Sequence, residues 1–231
     1  MTQTPRFPSR NRLLAALSSA DLALLRPDLD PVSLGLRQVL ETANEPITHN
    51  YFIESGLASV VAGNRHNRKR IEVGLIGYEG MTGLAVVLGN GRSPNENFMQ
   101  VGGAGRRIFS PKLRAAMKQS RSLQSVFLHF VHAFMNQVSS TALSNGTASV
   151  EERLARWLLM AHDRLDGDEI PLTHEFLSLM LGVRRAGVTV ALNALEGKAV
   201  IRLSRGQIFV VDRKGLKTSA NGCYAEPGAG R

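Results

Sequence analysis

The apolar positions of this chain change period several times. Residues 11–26 place them at helical spacing, and Ser18, Ser19 and Asp21 in mid-segment divide the stretch into two short helices, closed by Pro27 and Pro31. From 32 to 110 the texture differs. Short apolar runs at 39–40, 51–53, 57–62, 71–76, 98–101 and 107–109 alternate with clusters of Gly, Asn, Pro and charge. Many short strands with turn residues between them predict an antiparallel sandwich or barrel. Pro111 suits a first helical turn with Ser110 as its N-cap. Residues 122–143 then carry Leu123, Val126, Phe127, Phe130, Val131, Phe134, Val138 and Thr141 at three-four spacing, which predicts a long helix with one apolar stripe. That stripe can bury itself on its own domain or pair with a twin across a two-fold axis. A long helix leaving a β-domain favours pairing, which makes Leu123, Phe127, Phe130, Phe134 and Val138 the expected dimerisation residues. Asn145 and Gly146 are expected to break the helix and form a hinge. Ser149 and Glu152 restart a helix with a capping box, running to about residue 165.

Residues 172–212 hold the densest set of matched signals. Thr173 is a suitable N-cap for a short helix with Phe176, Leu177 and residues 179–181 as its apolar side. Gly182 ends that helix, because glycine accepts a positive φ without strain. A second helix is expected from Arg184 to Glu196, with Val188, Ala191, Leu192 and Leu195 buried and Arg184, Arg185, Gly187, Thr189 and Asn193 outside. Two helices about a tight glycine turn form a helix-turn-helix. Residues 199–203 and 207–211 then alternate as strands around Ser204-Arg205-Gly206, a hairpin wing. The start of the second helix enters the major groove in such an arrangement. Arg185 is the expected base reader, since guanidinium can bond guanine O6 and N7 together, and Thr189 can offer a hydroxyl or methyl. Thr173, His174, Arg184 and Arg205 are expected on phosphates, which set register.

Composition bounds these readings. The 231 residues are 43% hydrophobic with a net charge of +9, enough chain for one large domain or two small ones, and a basic balance that suits a polyanionic partner. The charge is not where the helix-turn-helix is. Residues 149–231 carry 12 Lys+Arg against 10 Asp+Glu, whereas 176–207 alone hold five basic residues against one acid. One cysteine, Cys223, excludes an internal disulfide and leaves a reduced, cytoplasmic setting as the expectation. No apolar run reaches the roughly 20 residues of a membrane span, and no secretory signal is read at the amino terminus. No nucleophile-base pairing, paired carboxylates or zinc-ligand spacing suggests an enzyme, and no metal or cofactor is expected. His129 and His132 read as flanking, solvated residues, and the basic run 65–70 as a solvated hairpin tip.

The chain resembles the Crp/Fnr regulators on three motifs: Tyr51-Phe-Ile-Glu-Ser-Gly-Leu57, Gly77-Tyr-Glu-Gly80 and Leu181-Gly-Val-Arg-Arg-Ala-Gly-Val188. The resemblance spans nearly the whole length. It implies an α+β chain with an amino-terminal antiparallel β-barrel of the cyclic-nucleotide-binding, jelly-roll type over 1–120. A dimerisation helix over 121–145, a winged helix-turn-helix over 146–218 and a flexible tail over 219–231 follow. It further implies a homodimer on near-palindromic double-stranded DNA, with RNA polymerase as a partner and no membrane. Arg184, Ala186 and Val190 depart from the family's usual Ser, Glu and Arg or Ser. The effector positions also depart. Members that bind cyclic AMP carry Gly-Glu-Leu-Ala followed by Arg-Ser or Arg-Thr; here the cassette reads Gly83-Leu84-Ala85-Val86, without the Glu, and Arg92-Ser93 stand in a loop. Gly83, Leu84, Arg92 and Ser93 are therefore the candidate effector pocket, with no tight cyclic AMP binding expected. The competing reading is a ligand-binding module acting mainly through protein contacts.

Overall fold

The computed structural model describes residues 9–64, 69–172 and 174–225. Residues 65–68 of the basic run and Thr173 lie outside the described residues. At the amino end, the Asn11 and Ser18 side chains accept the Leu14 and Asp21 N–H groups and so start α1 (Arg12–Ala15) and α2 (Ser19–Leu25). Seven strands follow: β1 (Asp30–Leu34), β2 (Val39–Glu41), β3 (His49–Ile53), β4 (Leu57–Asn64), β5 (Lys69–Ile76), β6 (Glu96–Val101) and β7 (Gly103–Phe109). A short helix, α3 (Leu84–Val87), interrupts them between β5 and β6. They form two antiparallel sheets, β1-β7-β3 and β2-β6-β4-β5. Leu34, Ile53, Ala58, Val60, Ile76 and Met99 from both sheets share one core. Pro31, expected to close a helical region, instead lies inside β1; the strand is at a sheet edge, where a missing N–H is tolerated.

Three helices lead out of the sheets: α4 (Ser110–Gln119), α5 (Arg121–Thr147) and α6 (Val150–His162). Ser110 is the first residue of α4 rather than its cap, and its hydroxyl donates to Asn50 Oδ1 at 2.9 Å. The aromatic stripe of α5 turns inward. Leu123 and Phe127 are wholly buried, with Val131 and Phe134 nearly so, in cores built with the sheets and α1–α4. Phe130 and Val138 are half-buried against the same cores. Leu123, Phe127 and Phe134 of the expected dimerisation set thus pack into the chain's own cores, while Phe130 and Val138 keep part of their surface exposed. The fit is close. A Cβ at Gly80 would come within 2.2 Å of Phe130 Cζ, and one at Gly74 within 2.7 Å of Phe134 Cζ. The opposite face exposes Leu128, Met135 and Leu143.

The helix also passes through its expected hinge. Asn145 and Gly146 stay helical, and the break comes at Ala148, which is extended at φ −95°, ψ 151°. One unhindered glycine costs a helix only about 1 kcal/mol, whereas the full capping box of Ser149 and Glu152 fixes a new start directly afterwards. At the carboxy end, α9 (Arg213–Ser219) continues into a packed segment. Ala220 is fully buried and the Tyr224 hydroxyl donates to Asp163 Oδ2 at 2.8 Å. The expected tail is thus anchored up to Tyr224, because one aromatic and one small residue find partners that its Gly, Ala and Pro content concealed.

Two glycine substitutions separate these environments. Gly80→Ala should lower stability by about 1–3 kcal/mol through overlap with Phe130. Gly146→Ala, in open helical space, should raise it by about 0.4–1 kcal/mol. Denaturant midpoints of the two variants check both signs.

Candidate nucleic-acid interface

The carboxy-terminal unit combines α6, β8 (Glu169–Ile170), α7 (His174–Leu181), α8 (Arg185–Gly197), β9 (Ile201–Ser204), β10 (Gln207–Val210) and α9. Gly182 joins α7 to α8 with φ +62°, the conformation expected of the turn. Arg153 of α6 donates from its guanidinium to the Leu181 carbonyl, which ties the end of α7. Val188, Ala191, Leu192 and Leu195 are all buried, so one stripe fixes the rotation of α8 about its axis. Arg184 is the N-cap of α8, in extended conformation, rather than its first residue. Ser204 pairs with Gln207, which leaves Arg205 and Gly206 as a two-residue hairpin tip. β8 adds a third strand beside β10, unannounced in the sequence because two residues are too few to show a period.

The rotation of α8 decides which side chains face out. Arg184 and Arg185 are exposed and pair with no carboxylate among the described residues. Thr189 is half-exposed, and its hydroxyl donates back to the Arg185 carbonyl at 3.1 Å. Val190 is 70% exposed, one turn beyond exposed Ala186, and Asn193 is exposed beyond both. Val190 was passed over in the sequence as a departure from family pattern, though its place off the buried stripe marks it as outward. Arg205 is exposed at the wing tip. Arg202, also on the wing, stacks its guanidinium 4.8 Å from the Phe209 ring centroid. His174 opens α7, but its side chain lies outside the described residues, as does Thr173.

This unit is docked on the sheets. Met180 of α7 packs in one core with Leu57, Val61 and Leu75 of β4 and β5. Gly182 lies over Ile71, and Arg37 stacks on Phe176 at 5.0 Å. At the centre, Trp157 Nε1 donates to Glu72 Oε1 at 2.6 Å, and Glu72 Oε2 has no partner among the described residues. Burial pushes the Glu72 carboxyl up to about 8, against the pull of Ser59, Trp157, Arg156 and Arg164. Burial likewise lowers Arg153 and Arg156. Arg164 Nε to Glu79 Oε1 at 2.7 Å, and the Tyr78 hydroxyl to the Asp163 carbonyl at 3.1 Å, close the edge of the contact. None of these contacts uses the outer face of α8.

The family model of the Crp-like helix-turn-helix domain matches residues 152–219. The whole chain superposes on a Crp/Fnr-family transcriptional regulator of Eubacterium rectale with a TM-score of 0.71 at 19% identity, covering 91% of this chain and 98% of that one. FixK2 of Bradyrhizobium japonicum gives 0.72 at 16%, covering 86% and 98%. The c-di-GMP responsive global regulator CLP of Xanthomonas campestris gives 0.65 at 13%, covering 84% and 99%. Residues 152–219 thus match the Crp-like helix-turn-helix domain, and the chain as a whole has the fold of these solved regulators. No curated protein sequence matches it.

In this chain the expected effector residues each engage neighbouring groups. Gly83 caps α3 with φ +77°, and its N–H is donated to the buried carboxylate of Glu41. Asn50 Nδ2 donates to the Thr82 and Gly83 carbonyls at 3.1 Å each. Leu84 packs into the cores. Arg92 is exposed and donates to the Asn44 carbonyl, while the Ser93 carbonyl accepts the Asn44 N–H at 2.7 Å. Arg92 and Ser93 thus serve the loop at 44–46. Glu96, on the following strand, is buried and pairs with Arg70 at 2.7 Å. No helix of the described residues is long and apolar enough to cross a membrane.

Glu72 gives a pH test of the docking. A carboxyl at about 8 when folded and 4.5 when free holds an extra proton in the folded state between those values. Its contribution to stability is complete below pH 4.5 and lost as pH rises to about 8, with a slope of up to about 1.4 kcal/mol per pH unit. Thermal unfolding from pH 5 to 8 should show that slope in the native protein and a flatter one in Glu72→Gln.

Proposed function

We propose that this protein regulates transcription as a homodimer that reads a near-palindromic operator through two copies of α8, without control by cyclic AMP. The observation that carries the reading is the outward face of α8, where Arg185, Ala186, Val190 and Asn193 stand clear of both the buried stripe and the docked sheets. Arg185 bonds a guanine edge, and Ala186 with Val190 supplies an apolar contact for thymine methyls. Arg184 and Arg205, together with Thr173 and His174, hold phosphates and set register, and Thr189 is a further contact on the same helix. The notional parts are a sensor of 1–120, a connecting helix and a DNA-binding unit from about 146, working in the cytoplasm. RNA polymerase is the further partner that the role implies.

Pairing in this account uses the outer face of α5. Leu128, His132, Met135, Ser139 and Ala142 recur at alternating steps of four and three, and Leu128 and Met135 are 40% and 57% exposed. That is the spacing of a two-stranded coiled-coil seam, which supports pairing on this face. Independence from cyclic AMP rests on Glu41, which already occupies the Gly83 N–H, and on Arg92, whose guanidinium donates to the Asn44 carbonyl. Micromolar binding in a cyclic AMP titration would overturn this part.

Two substitutions test the scheme separately. Arg185→Ala should cost about 1–3 kcal/mol of operator affinity and relax one base position in each half-site; a binding selection that returned the native motif would contradict the assignment. Met135→Glu should give monomers in light scattering, with an unchanged fold by circular dichroism. A dimer mass retained by this variant would place the two-fold contact elsewhere.

A further inference from the structure

A second recess lies away from both the docked winged helix and the loop at 44–46. It is a cleft of about 340 Å³ between α3, α4 and the first turn of α5. Val86, Val87 and Met117 form a buried apolar floor, and Leu88, 60% exposed, stands at its rim. Three cations surround it: Arg114 and Lys118, one turn apart on α4, and Arg121 at the start of α5.

The charges here are out of balance. Between Asn97 and Val150 the sequence holds no Asp or Glu, and the loop and helix of 80–95 hold none either. Other cations of the same stretch find acids elsewhere: Arg106 with Glu54 at 3.1 Å, Arg107 with Asp30 at 3.8 Å and Lys112 with Asp28 at 3.5 Å. Arg114, Lys118 and Arg121 make no ion pair among the described residues. One acid, Asp21, reaches this end of α5, where the hydroxyls of Ser18, Ser120 and Ser122 donate to it and it offsets only part of the positive charge. The long α5 also begins here, and its dipole adds positive potential.

We infer that this cleft binds a soluble amphiphilic anion, a carboxylate or phosphate head joined to a short apolar group. The head lies among Arg114, Lys118 and Arg121, and the apolar part lies on Val86, Val87 and Met117. The volume is that of a small-ligand site, in which an apolar lining supplies area and a few charges fix orientation. A bare inorganic anion would leave exposed Leu88 uncovered, and a neutral alkyl chain would leave three cations unanswered, so an amphiphile answers both. The cleft shares Val86 with the cassette at 83–86 but uses none of Gly83, Leu84, Arg92 and Ser93.

Octyl phosphate is the probe, measured against the full-length protein by titration calorimetry, with inorganic phosphate and 1-octanol as comparators. Octyl phosphate should bind saturably below its micelle concentration and at least tenfold more tightly than either comparator. The Arg114→Gln, Lys118→Gln double variant should lose at least tenfold, while Lys112→Gln, on the same helix but outside the cleft, should not. The three substituted side chains are at the surface, and unchanged melting temperatures confirm that the variants are folded. Absence of saturable binding, equal binding of inorganic phosphate, or undiminished binding in the double variant would overturn the proposal. Co-sedimentation with phosphatidylglycerol vesicles that depends on Arg114 and Lys118 would overturn it in favour of a lipid surface. None of these readouts depends on DNA binding.

Discussion

The aromatic stripe of α5 packs directly against two glycines, Gly74 of β5 and Gly80 in the loop that follows it. Phe130 and Phe134 lie so close to Gly80 and Gly74 that a methyl group at either position would collide with a ring. This contact fixes α5 along its length and about its axis. Once Leu123, Phe127, Val131 and Phe134 are turned inward, Leu128 and Met135 must face away, and the end of the helix at Thr147 must deliver Ser149 to one place. The winged helix is then held by a second contact, Trp157 on Glu72, with α7 laid against β4 and β5. The direction in which Arg185 points follows from these two packings and from the buried stripe of α8.

The helix-turn-helix was legible because its signals are local and redundant. Gly182 needs a positive φ, the apolar stripe of α8 has a clear period, and Arg205-Gly206 closes a hairpin between alternating strands. The sheets were legible as strands for the same reason, apart from β1, where an edge position let Pro31 pass. What the sequence leaves open is which surface a stripe meets. Leu123, Phe127 and Phe134 have the spacing of a dimer seam and of an internal contact alike, and only the glycines at 74 and 80, distant in sequence, decide between them. The hinge was displaced from Asn145-Gly146 to Ala148 because a helix tolerates an unhindered glycine when the next cap lies a few residues on. Ala220 and Tyr224 were hidden by the composition around them.

The effector positions follow a similar logic of occupation. The cassette at Gly83 is complete as a structural element: Glu41 takes its N–H, and Asn50 takes its carbonyls. Arg92 donates to the Asn44 carbonyl and so holds the loop at 44–46. Glu72 links the sheets to the winged helix through a single buried carboxyl whose neutral form is favoured by burial. Anything that changes the packing between β5 and α6 therefore acts on the DNA-binding unit through a contact in which one unpaired charge is costly.

The claim that the rest depends on is sequence-specific reading of duplex DNA by paired α8 helices. A selection from random duplex DNA with the full-length protein, followed by affinity measurement at fixed salt, addresses it directly. The account predicts two related half-sites about one helical turn apart, roughly 34 Å, bound at least about 1,000-fold more tightly than random duplex. A preference below about tenfold, or a selected motif with a single half-site, would contradict it.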